Sequence, residues 1–88
     1  MGVAEIMTRK LKQAFQPELL ELIDDSEKHR GHGGWREGGE SHFNLRMVSA
    51  AFAGQGRVQR QRAVNKVLVE ELAGPVHALS MELKAPGE

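Results

Sequence analysis

The chain has 88 residues, of which 40% are apolar and 27% charged, with 12 Lys plus Arg balanced by 12 Asp plus Glu. A chain of this size forms one domain, residues 1–88, and buries roughly 60–65% of its unfolded surface, enough for one sheet and a layer of helices but not for a deep enclosed active site. Balanced charge sets the chain apart from strongly basic nucleic-acid binders, the absence of Cys excludes a disulfide framework or thiol nucleophile, and no apolar run nears the roughly 20 residues of a membrane span.

Residues 3–15 place Ala4, Met7, Leu11 and Ala14, flanked by Val3, Ile6 and Phe15, on a helical stripe. Pro17 stops that helix, because the residue before a proline is pushed out of the α region. Residues 18–24 read as a short strand. Residues 25–41 form a loop of 17 residues with five glycines. Loops this long are functional or disordered. Few apolar anchors stand against its ordering entropy, so mobility is expected in the free protein.

Residues 42–49 alternate, with Phe43, Leu45 and Met47 on one face and His42, Asn44 and Arg46 on the other. Residues 50–53 suit a short helical turn, and Gly54-Gln55-Gly56 is a break. Residues 57–73 read as one helix whose core face carries Val64, Val67, Leu68 and Leu72. Gly74 stands where a left-handed cap belongs, and Pro75 forbids continuation. Residues 76–84 alternate again, with His77, Leu79, Met81 and Leu83 on one face. The order is helix-strand-strand-helix-helix-strand. Consecutive strands pair antiparallel, and a helical crossover returns the chain parallel and right-handed. The expected fold is therefore α+β, with a three-stranded mixed sheet and helices on one face.

That topology gathers all four histidines at one pole: His29 and His32 in the loop, His42 opening the second strand and His77 opening the third. Imidazoles without thiolates supply nitrogen ligands to a soft metal or cluster, and any sulfur ligand has to come from a partner. Alternation puts His77 on the helix-covered face and His42 on the other, which favours a loop histidine as the companion of His77. The long helix starts at the opposite pole. Arg57 and Arg60 occupy its first turns and Glu70 and Glu71 its last, the reverse of what the helix dipole prefers. Arg57, Arg60, Arg62 and Lys66 make a local anion-attracting surface, a candidate nucleic-acid contact. Trp35, the sole tryptophan, is a candidate partner anchor. No nucleophile, carboxylate pair or phosphate loop points to turnover, so a non-enzyme is expected.

The runs Glu40-Ser41-His42-Phe43, Phe52-Ala53-Gly54, Gln59-Arg60-Gln61-Arg62, Glu70-Glu71-Leu72 and Val76-His77-Ala78-Leu79 resemble the BolA family, as does the stretch from Pro17 through Leu22 to Asp24-Asp25-Ser26. The resemblance implies a KH-like (type II) fold that begins with a helix. It also implies a cytoplasmic adaptor, monomeric alone or heterodimeric with a monothiol glutaredoxin. Such a pair shares a [2Fe-2S] cluster in iron-sulfur trafficking and iron homeostasis, and the glutaredoxin side brings a cysteine and bound glutathione. His77 matches the family's last-strand ligand. The second ligand comes from the loop, where this chain resembles the members with a histidine. His29 matches that position best. An additional Gly-His-Gly-Gly-Trp-Arg stretch makes His32 a rival, and His42 is a weaker candidate. The resemblance also implies another role, a DNA-binding transcriptional regulator of stress and cell-morphology genes. Ala53-Gly54-Gln55-Gly56 departs from the Gly-x-x-Gly clamp of nucleic-acid-binding KH folds.

Overall fold

The central strand organises the molecule, and its pattern explains why. In this computed structural model, which describes residues 2–25 and 42–88, the elements are α1 (Val3–Phe15), β1 (Leu19–Asp24), β2 (His42–Val48), a 3-10 turn (Ala50–Phe52), α2 (Arg57–Val67), α3 (Val69–Ala73) and β3 (Ala78–Lys84). The sheet order is β1-β2-β3, with β1 antiparallel and β3 parallel to β2. Register then builds two faces. Leu20, Met47 and Leu83 form one row across the three strands, and Leu22, Leu45 and Met81 form the next. These rows meet the helices. On the open face lie Ile23, Asn44 and Ser80, then Glu21, Arg46 and Glu82. Arg46 bridges that second row, with Nε 2.8 Å from Glu82 and Nη1 3.5 Å from Glu21. Opposite charges across adjacent strands are the favourable arrangement.

The core comprises Met7 and Leu11 from α1, Phe43, Leu45 and Met47 from β2, Phe52 from the 3-10 turn, Val64 from α2, and Leu68, Val76 and Ala85 from linking positions. The helical stripe of α1 holds for Met7 and Leu11, whereas Ala14 is exposed. Phe15 closes the helix end instead, with its ring 5.1 Å from that of Phe52. Gln16 takes a left-handed conformation (φ 44) and donates its N–H to the Lys12 carbonyl, capping α1 immediately before Pro17. Ser49 is wholly buried between these elements. Its Oγ donates to the Phe15 carbonyl at 2.6 Å and accepts the Ala51 N–H at 3.1 Å.

Two expectations change. The helix expected over 57–73 is divided at Leu68 (φ −101, ψ 21), whose buried side chain belongs to the core. The division accounts for the acidic half of the charge layout: Lys66 falls in the last turn of α2 and Glu70 and Glu71 in the first turn of α3, while Arg57 and Arg60 remain at the start of α2. Lys10 of α1 reaches both, at 3.1 Å from Glu70 and 2.8 Å from Glu71. Those hydrogen bonds, the one to Glu71 foremost, raise the Lys10 pKa above its ordinary value. Secondly, Gly74 is not left-handed (φ −113, ψ −111). The turn closes through the Glu71 carbonyl, which accepts the N–H groups of both Gly74 and Val76. Among the described residues, no helix is long and apolar enough to cross a membrane.

Candidate functional site

Parallel pairing fixes the histidine pole. His42 is paired with Ala78 in register, so the residue before β3, His77, stands beside the start of β2. The Asp25 N–H donates to the His42 carbonyl at 2.7 Å, which brings the two ends of the loop together at this same pole. The His42 and His77 rings lie 5.9 Å apart between centroids, inclined at 46°. This corrects the expected separation to opposite faces. The alternation of β3 begins at Ala78, and His77, outside the strand, is released from it.

The two imidazoles differ in access. His42 is buried, 6% exposed, although it sits in the row of the open sheet face. His77 is exposed rather than covered by the helices. An exposed imidazole offers a lone pair to an incoming group, and a buried one beside it packs and orients. Among the described residues, no group of three or more His, Cys, Asp or Glu is arranged to hold a metal ion. His77 and His42 thus form at most part of a ligand set. His29, His32 and Trp35, with the expectation of a mobile loop, lie outside the described residues.

The opposite pole holds the basic surface. Arg57, Arg62 and Lys66 are exposed, as an anion-attracting surface requires. Arg60 is not available in the same way. It donates from Nε to the Gln55 carbonyl and from Nη1 to the Leu83 carbonyl, and it pairs with both carboxylate oxygens of Glu88. Its guanidinium also lies 5.9 Å from the Phe52 ring centroid. The helix entry is closed by Gln59, whose Oε1 accepts the Gly56 N–H at 2.9 Å. Sequence reasoning missed the Glu88 pairing and the buried Ser49. The Pro86-Gly87 pair, a turn signal, marks where the chain folds back toward Arg60.

Comparison with known proteins gives these features a context. A family model described as "BolA-like protein" matches residues 11–88. An uncharacterized Sinorhizobium protein from the cobS 5' region is 49% identical over 89 residues, covering 100% of this chain and 96% of the relative. BolA-like protein 1 of Mus musculus is 46% identical, covering 90% of this chain and 55% of the mouse protein, so the chain spans about half the length of that relative. The DNA-binding transcriptional regulator BolA of Vibrio cholerae is 40% identical, covering 90% of this chain and 71% of the relative. Among solved structures, BolA1 from Arabidopsis thaliana aligns with a TM-score of 0.89 at 36% identity, covering 100% of this chain and 96% of the other. The BolA domain of SufE1 from the same plant aligns with a TM-score of 0.86 at 40% identity, covering 98% and 95%.

Proposed function

The chain belongs to the BolA family, and on that premise we propose that it is a non-enzymatic adaptor that binds a monothiol glutaredoxin and shares or receives its [2Fe-2S] cluster. The observation that carries this reading is the exposed His77 ring beside the buried His42 ring, at the pole where the loop leaves β1 and enters β2. The cluster is cargo, held between two proteins. His77 is the ligand this chain offers first, and a loop histidine, His29 or its rival His32, is the second. His42 braces the His77 ring. Thiolate and glutathione come from the glutaredoxin, since this chain has no Cys. Imidazole in place of thiolate lowers the negative charge on one iron and raises its potential, the relation seen in Rieske centres. Imidazole must also be neutral to ligate, which makes transfer sensitive to acid.

Anaerobic reconstitution with a monothiol glutaredoxin and glutathione, read by visible circular dichroism, tests the proposal. The mixture is expected to give a spectrum distinct from that of the glutaredoxin alone, and His77→Ala to abolish the difference without unfolding the chain. A mixture spectrum that equals that of the glutaredoxin alone would overturn it.

A second reading is favoured by the Vibrio relative, which is named a DNA-binding regulator. Here Arg57, Arg62 and Lys66 contact phosphates, while Arg60 is held within the fold. Duplex affinity would fall steeply with salt, and the Arg57→Gln/Arg62→Gln double variant would flatten that slope by about 2. An unchanged slope would remove this surface from the reading.

A further inference from the structure

After β3 the chain turns sharply at Ala85-Pro86-Gly87-Glu88. The Glu88 N–H donates to the Ala85 carbonyl at 3.2 Å, and Gly87 has φ +87. Proline followed by a residue of positive φ is the type II pattern, which needs glycine at the third position. The turn delivers the Glu88 side chain back onto the start of α2. Its Oε1 accepts Arg60 Nη1 at 2.6 Å and the Ala85 N–H at 3.1 Å, and its Oε2 accepts Arg60 Nη2 at 2.7 Å. The seat is therefore built for a planar group with two oxygens. Arg60 is fixed from behind by the Gln55 and Leu83 carbonyls, so its fork is oriented independently of Glu88.

The space around the seat is larger than its occupant. A groove of ≈ 590 Å³ opens there, with Met81 and Leu83 as an apolar wall and Arg57 and Lys84 on its flanks. Arg57 and Lys84 make no ion pair among the described residues, and Glu82, the other acid on the groove, is engaged by Arg46. The Arg60 side chain is 11% exposed, whereas Glu88 is 44% exposed. The receptor half is set into the fold, and the occupant lies at the surface.

We propose that Arg60 and the Ala85 N–H form a carboxylate-reading seat that the chain closes with its own Glu88, and that a glutamate of an acidic partner peptide takes the seat when Glu88 swings out. Bidentate geometry suits a carboxylate, the apolar wall receives the methylenes of its side chain, which distinguishes it from a free phosphate, and the flanking cations favour further acidic residues. A tethered carboxylate competes at an effective concentration in the millimolar range, so the closed chain binds peptides weakly. The apparent affinity is reduced by the fraction of chains that are open, and a seat that is 90% closed loses about tenfold. This inference is independent of the histidine pole.

The test uses the full ¹⁵N-labelled chain, native and Glu88→Gln, titrated with acetyl-triglutamate amide and separately with inorganic phosphate. Amide and Arg Nε–H resonances are followed by NMR. Glu88→Gln is expected to bind the peptide saturably and about tenfold or more tightly than the native chain, with shifts at the Ala85 N–H and Arg60 Nε–H. Arg60→Lys added to Glu88→Gln should abolish binding. Should that variant lose its folded spectrum, Arg57→Gln with Lys84→Gln in the Glu88→Gln background gives the second test, and severalfold weaker binding is expected. Equal peptide affinity in the native and Glu88→Gln chains would overturn the proposal, as would no saturable binding. So would phosphate occupying the seat as tightly as the peptide, or flanking substitutions without effect.

Discussion

Replacing Ser49 by Ala should be among the costliest single-atom deletions in this molecule. The hydroxyl is wholly buried and links two elements, and the residue's backbone ties in a third. It donates to the last carbonyl of α1, on Phe15, and caps the 3-10 turn by accepting the Ala51 N–H, while the Ser49 backbone N–H donates to Lys84 at the end of β3. Alanine leaves the Phe15 carbonyl and the Ala51 N–H without that partner. A buried polar group left unsatisfied costs about 1–3 kcal/mol. Ala51 is exposed and water can replace its partner, so the low end applies there, and a capping residue replaced by alanine costs about 1 kcal/mol. The sum is about 2–4 kcal/mol, which at about 4–8 °C per kcal/mol lowers the melting temperature of a domain this size by about 8–32 °C. Thermal unfolding followed by far-ultraviolet circular dichroism measures this. A fall of under about 3 °C would refute the role assigned to the hydroxyl.

The histidine pair should divide by burial. His77→Ala is expected to change stability by no more than about 0.5 kcal/mol, and His42→Ala to cost about 1–3 kcal/mol, both read by urea unfolding. Phe52→Ala removes a ring at 0% exposure that stacks on Phe15, and should cost about 3–5 kcal/mol in the same assay. Acid should act through Glu88. Its hydrogen bonds with Arg60, and next with the Ala85 N–H, hold its carboxyl down to about 2 from the ordinary 4.5. A depressed folded pKa means that its stabilising contribution is complete above 4.5 and is lost as pH falls through about 2. Carboxyl NMR shifts across that range should place the Glu88 midpoint well below those of exposed glutamates.

Local pattern carried the architecture. Alternation in β2 and β3, the proline after α1 and the helical crossover were enough to set three strands, their relative directions and two opposed poles. Features set by contacts between distant residues were not legible. Leu68 reads as one more apolar position in a continuous helix, yet the core takes its side chain where the helical run divides. Arg60 reads as a member of a basic cluster, but its partners include Glu88, 28 residues further on. His42 alternates outward in the sequence pattern and is nonetheless buried beside His77. In each case the residue type is legible in the sequence and its surroundings are not, because those surroundings are assembled by tertiary packing rather than by sequence spacing.

The proposed function requires that an imidazole of this chain bind iron in a shared cluster. Pulsed electron paramagnetic resonance tests it most directly, on the reduced complex of a monothiol glutaredoxin with the chain labelled with ¹⁵N only at histidine. Ligation by His77 predicts ¹⁵N hyperfine coupling from this chain that is lost, or reduced to that of the loop histidine, in His77→Ala while the variant still folds. A reduced cluster in the complex with no ¹⁵N coupling, or with coupling unchanged by His77→Ala, would contradict it.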